Sequence, residues 1–274
     1  MPTAEVATGP TLHYVRRGAG EPILLIQGMS GSHVSWGEPF LAELEHDFDV
    51  VAYDHRGVGH SSAVSVPFTI CDLADDAAAL MEILGWESAH VVGVSMGGMV
   101  AQELALRHPG RIRTLTLGCT NCGGEGSALT SSEVSSKLGE AMMSGDRERA
   151  IATAYEVNVS PGYGADKSAY ATFYEMATAL PVAVPVIMLQ AQAIQSHDTL
   201  DRLGQIAAPT LVIHGTEDEM LPHSNAVLIA ARIPGARLET LDGVGHMFWW
   251  EQPQRSAEAI RSLVRLRGLS PQSQ

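Results

Sequence analysis

A serine hydroxyl becomes a useful nucleophile at neutral pH only when a base takes its proton and an acid orients the base. Ser95 lies in Gly93-Val94-Ser95-Met96-Gly97, after the apolar run His90 to Val94 and before helical spacing from Met96 to His108. A strand that turns sharply into a helix exposes the residue at the corner, with helix N-terminal amides beside it. Glycines flank such a corner because side chains there collide with neighbouring backbone. Gly-x-Ser-x-Gly alone is a weak signal, and its place between a buried strand and a helix makes it a strong one. The plain alternative is a glycine-rich connection with an incidental serine.

In an open parallel sheet, functional groups collect beyond the carboxyl ends of the strands. Two later residues sit there. Asp218, in His214-Gly215-Thr216-Glu217-Asp218-Glu219, follows the apolar run Thr210 to His214. Its competing reading is a solvated acidic loop, since Glu217 and Glu219 flank it. His246, in Gly243-Val244-Gly245-His246-Met247, follows the run Arg237 to Leu241. A single histidine among eleven is more often structural or exposed than catalytic. Phe248, Trp249 and Trp250 shift that balance, because they bury a loop that otherwise has no reason to be buried.

The elements that would position these residues alternate along the chain. Strands are expected at Leu12 to Arg17, Pro22 to Gln27, Phe48 to Tyr53, His90 to Val94, Arg113 to Gly118, Thr210 to His214 and Arg237 to Leu241. Helices are expected at Trp36 to Leu44, Ile70 to Leu84, Met96 to His108, Pro222 to Ile233 and Pro253 to Arg267, with a frayed tail after Gly268. Continuous apolar strands alternating with helices predict an α/β fold, a mostly parallel sheet covered on both faces. The rhythm breaks between Asn121 and His197, where the spacing predicts helices at Ser131 to Met143, Arg147 to Val157, Ser168 to Thr178 and Val184 to Ser196. The expected organisation is a core of residues 1–122 and 198–274, with a helical insertion at 123–197.

The composition bounds the function. The 274 residues carry a formal net charge of −14, which repels nucleic acid phosphates and anionic membranes. Met1 to Thr11 lacks the basic start and apolar core of a signal peptide, and no apolar run is long enough to span a bilayer. Cys71, Cys119 and Cys122 are too few for a disulfide scaffold, so a reducing cytoplasm is the expected location. Cys119-Thr120-Asn121-Cys122 lacks further metal ligands at suitable spacing and reads as structural. A homodimer is compatible with the sequence, which does not fix the oligomeric state.

Five segments in order resemble the α/β-hydrolase superfamily over nearly the full chain. They are Gln27-Gly28, Asp54-His55-Arg56-Gly57-Val58-Gly59-His60-Ser61, Gly93 to Gly97, His214 to Asp218 with Pro222, and Gly243 to His246 with Glu251 and Pro253. The resemblance implies an α/β-hydrolase fold and the chain order nucleophile, acid, base, hence Ser95, Asp218 and His246. It implies that the insertion is a cap over the site, and that the backbone N–H groups of Met29 and Met96 form the oxyanion hole. Many relatives have His-Gly where this chain has Gln27-Gly28, so any role of that histidine falls to Gln27 or is lost. The pocket is expected to include Gly28, His33, Trp36, Met247 and Phe248, with cap methionines such as Met176 and Met188 mainly packing. Asp54, Arg56 and His60 are expected to hold a structural turn. The expected activity is hydrolysis of a small or medium, fairly apolar carboxylic ester or lactone, with no metal or organic cofactor. Carbon–carbon bond hydrolysis and cofactor-free perhydrolase or haloperoxidase-like chemistry are the rivals among enzymes. A ligand receptor on the same scaffold is the rival outside them.

Overall fold

The computed structural model describes residues 2–269. Strand β1 (Thr3–Glu5) was not foreseen, and it pairs antiparallel with β2 (Thr11–Arg17). Strand β3 (Glu21–Ile26) leads through a 3-10 turn (His33–Trp36) into helix α1 (Glu38–Glu45). The single helix expected from Trp36 is split there by Gly37, whose φ of 72° is left-handed. Strand β4 (Phe48–Tyr53), helix α2 (Ile70–Ile83), strand β5 (Ala89–Val94), helix α3 (Met96–Arg107) and strand β6 (Ile112–Gly118) follow. Thr69 and Asp72 cap α2 reciprocally, and Gly85 at φ 72° ends it.

Between β6 and the next strand run five helices: α4 (Ser132–Met143), α5 (Arg147–Asn158), the short α6 (Pro161–Gly164), α7 (Lys167–Ala179) and α8 (Val184–Gln195). The two ends of this stretch meet. Thr199 N–H donates to Cys122 O at 2.8 Å, and a Cβ on Gly123 would lie 1.9 Å from His197 O. Strand β7 (Thr210–Gly215), helix α9 (Ser224–Arg232), strand β8 (Arg237–Leu241), a short helix α10 (Phe248–Glu251) and helix α11 (Pro253–Leu269) complete the chain. Helix α9 starts two residues after Pro222, and the tail expected to fray lies outside the described residues.

The eight strands form one sheet in the order β1-β2-β4-β3-β5-β6-β7-β8. The β1–β2 and β2–β4 pairs are antiparallel, and all pairs from β4 through β3 to β8 are parallel. Alternate residues of each strand feed opposite faces. Leu24, Ile26, Val51 and Val91 join one core cluster with α2 and α3, while Ile23, Leu25, Val50 and Val92 join the other with α1 and α11. Both faces of the inner strands are thus dry, which explains why β3, β4, β5 and β7 read as apolar runs. Among the described residues no single helix is long and apolar enough to cross a membrane, although α7 and α8, bent by 100°, pass that test together on length and composition.

Candidate active site

Ser95 occupies the corner between β5 and α3 with φ 55° and ψ −125°. That backbone costs a non-glycine residue on the order of 1–3 kcal/mol and persists only when its surroundings over-determine it. Here they do. Ser95 N–H donates to Gly118 O at 3.0 Å, and Ser95 O accepts from Gly98 N–H at 2.9 Å and from Thr120 Oγ1 at 2.7 Å. The flanking glycines are sterically required. A Cβ on Gly93 would lie 2.2 Å from Gly97 O, and one on Gly97 would lie 2.0 Å from Ile26 O.

The loop after β3 lies against Ser95, since a Cβ on Gly28 would be 2.9 Å from Ser95 Cβ and 3.4 Å from Oγ. Gln27 holds this loop from within, accepting Gly28 N–H through Oε1 at 2.8 Å. The Met29 N–H has no hydrogen-bond partner among the described residues. The Met96 N–H, first in α3, has no helical carbonyl one turn back. Two residues past Gly28, Ser30 is left-handed at φ 58°, and its N–H donates to Oε1 of the fully buried Gln190 on α8 at 2.9 Å.

Asp218 lies past the end of β7, buried, with four donors. His246 Nδ1 is 2.7 Å and His214 Nε2 2.9 Å from Oδ2, while the Met220 and Leu221 N–H groups reach Oδ1 at 2.9 and 2.8 Å. His214 Nε2 also lies 2.8 Å from Leu221 O. Both neighbours are acceptors, so Nε2 must carry the proton. Burial disfavours the Asp218 carboxylate, but His246 and His214 outweigh it and hold the carboxyl at about 2. Burial likewise disfavours the His246 imidazolium, and the Asp218 charge overcomes it, so His246 stands well above its ordinary value. Beside them is Cys119, fully buried at φ 38°. Burial pushes its thiol up, so it contributes contact and no charge at neutral pH.

A family model described as the alpha/beta hydrolase fold matches residues 21–159 and 160–253. The chain belongs to the α/β-hydrolase family. It is similar to a protein named as a carbamate hydrolase, RutD, from Azorhizobium caulinodans, at 30% identity over 239 residues, covering 86% of this chain and 88% of that one. It is 29% identical over 247 residues to a poly(3-hydroxyalkanoate) depolymerase of Ectopseudomonas oleovorans, covering 89% and 84%. Among solved structures it is similar to the enol-lactonase from Burkholderia xenovorans LB400, with a TM-score of 0.83, 26% identity, and 96% and 100% of the two chains covered.

In this hydrolase two of the expected pocket residues, Trp36 and Phe248, pack in the core. Trp36 has no exposed surface; it packs with Phe40 and Trp249 in the core. Phe248 is also core, with its ring against Gly118. Met247 is buried, and its N–H reaches Asn158 O at 2.8 Å. His33 is tied to Asp54, with Nδ1 at 2.9 Å from Oδ1. Of the expected set, Gly28 is set against Ser95. Arg56 forms a bidentate pair with the buried Asp76, at 2.7 Å for each bond. Aromatic type signals burial, and sequence spacing does not say whether the burial is core or pocket.

Glu251 joins the His246 loop to the helical insertion. Its Oε1 accepts Gly245 N–H at 2.9 Å and Ser160 N–H at 2.8 Å, and its Oε2 accepts Ser160 Oγ at 2.6 Å. Its spacing from His246 was visible in sequence, but its partner on the insertion was not. Glu251→Ala strands these donors, so it should lower stability by about 3 kcal/mol and lower hydrolytic kcat/KM by roughly tenfold or more. Urea unfolding and steady-state kinetics measure both. Wild-type values for both would show that the clamp does not hold His246.

Proposed function

We propose that the protein is a serine hydrolase of small or medium, fairly apolar carboxylic esters or lactones. The reading rests on one observation above the rest: the buried His246–Asp218 pair, 2.7 Å apart, at the same end of the sheet as the strained Ser95 corner. In this reading Ser95 Oγ attacks the carbonyl carbon while His246 Nε2 takes its proton. Asp218 keeps the His246 proton on Nδ1, so that Nε2 faces the serine as a base. The Met29 and Met96 N–H groups receive the developing oxyanion, each donor contributing about 3 kcal/mol to the transition state. His246 returns the proton to the leaving oxygen, and a water activated by His246 then releases the acid.

The similarity to a depolymerase of a polyester and to an enol-lactonase supports the ester and lactone classes. The similarity to a protein named as a carbamate hydrolase favours a second reading, in which the carbonyl carries nitrogen on one side. A panel of short-chain esters, lactones and carbamates tests both. Ser95→Ala should lose roughly 10⁴-fold or more in kcat on every substrate that the wild type turns over. Retained turnover by folded Ser95→Ala contradicts the proposal, and faster carbamate than ester turnover favours the second reading.

The protonation of His246 sets a pH dependence. The neutral ring is the base, and Asp218 favours the charged ring up to a pH above the ordinary value of 6.5. The kcat/KM profile should therefore rise with pH through a limb above 6.5, a limb that moves down in Asp218→Asn as the rate falls. A limb below 6.5 in the wild type would contradict this electrostatic account.

A further inference from the structure

Across the sheet from the β7 and β8 loops lies a second group of histidines that the proposed reaction does not use. His13 comes from β2, His33 from the 3-10 turn after the Gly28 loop, and Asp54 and His60 from the loop after β4. Asp54 is fully buried. It accepts His33 N–H at 2.7 Å and His33 Nδ1 at 2.9 Å on Oδ1, and His13 Nδ1 and His60 N–H, both at 3.0 Å, on Oδ2. Two of these four donors are backbone N–H groups and two are imidazole nitrogens.

From this geometry we infer that His13, His33 and Asp54 bind a divalent transition-metal ion of the zinc class. One donor atom from each residue lies within 4.8 Å of the other two. Two ligands each about 2.0–2.1 Å from a tetrahedral zinc lie about 3.3 Å apart. The present N···O separations of 2.9 and 3.0 Å need to widen by only a few tenths of an ångström. An ion held between the two rings and the carboxylate then replaces the two Nδ1 protons now shared with Oδ1 and Oδ2. Each ring keeps its single proton and moves it from Nδ1 to Nε2. For His13 this sacrifices no other hydrogen bond, because the buried Nε2 has no partner.

The donor set selects the class of ion. Imidazole suits zinc, nickel and copper, whereas magnesium and calcium need oxygen ligands. His33 is partly exposed and His60 exposed, so the site is open to solvent on one side. The His60 ring is centred 5.0 Å from that of His13 and 6.1 Å from that of His33. Rings bound to one tetrahedral ion are centred about 5 Å apart, so a rotation of the exposed His60 supplies a further ligand. The ion would fasten β2, the loop after β4 and the turn after the Gly28 loop to one another.

The test is a zinc titration of the metal-free full-length protein, followed by calorimetry and thermal unfolding. One ion per chain and a rise of about 5 °C in Tm at a hundredfold excess over Kd are expected. His33→Gln should weaken binding by roughly a hundredfold. Cys119→Ala should leave it intact, which separates this site from Cys119, Asp218 and His246, whose donor atoms also lie within 4.8 Å of one another. No binding by the wild type, undiminished binding by His33→Gln, or binding lost in Cys119→Ala would each overturn the assignment. If His33→Gln does not fold, the cobalt-loaded wild type decides. A spectrum without sulfur-to-cobalt charge transfer supports the histidine site, and a spectrum with that band overturns it.

Discussion

The left-handed backbone of Ser95 constrains everything around it. A non-glycine residue at φ 55° holds only if its amide, carbonyl and flanking atoms are already committed. Gly118, Gly98 and Thr120 supply the hydrogen bonds, and Gly93 and Gly97 give up their side chains so that β3, β5 and α3 can close on one another. Ser30 and Cys119 are the other non-glycine residues at positive φ among the described residues. All three stand at the ends of strands on one side of the sheet, one on the Gly28 loop, one at the corner and one beside His246. Strain gathers where side chains and amides must be aimed, and the parallel sheet beneath is stiff enough to carry it.

Three buried or half-buried carboxylates organise the loops above that sheet. Asp54 gathers the loops after β3 and β4, Asp218 the turn after β7 and the His246 ring, and Glu251 the His246 loop and the insertion. Each is satisfied by several donors, which is the condition for burying such a group without a large penalty. Their states differ. Histidines and amides hold Asp54 and Asp218 below the ordinary range, while burial pushes Glu251 up. Asp218 lies against His246, which follows the adjacent strand β8. In the proposed reaction the Asp218 end of the loop cluster carries the chemistry and the Asp54 end does not.

Much of this was legible in the residues. Apolar runs marked the inner strands, with β4 correct at both ends, because a strand buried on both faces has no alternative pattern; the edge strand β8, Arg237–Leu241, was also correct at both ends although it is largely exposed. Ser95, Asp218 and His246 stand out as candidates because each follows the end of an expected strand. The short β1 carried too few residues for a period to show, and Gly37 broke a helical pattern that the apolar spacing alone continued. Trp36 follows the Gly28 loop and Phe248 follows His246, which placed both at the pocket, yet both pack into the core. The partners His214–Asp218, Glu251–Ser160 and Gln190–Ser30 depend on how distant segments meet, or on which way a side chain turns, and no spacing rule reports that.

The central claim is that Ser95 forms a covalent bond to the substrate's acyl group. Rapid mixing with an ester that the protein turns over, acid quenching and mass analysis of the peptides tests it directly. The peptide containing Ser95 should gain the mass of the acyl group within the first turnover and lose it as product is released. Turnover without any adduct, or an adduct on a residue other than Ser95, would contradict the account.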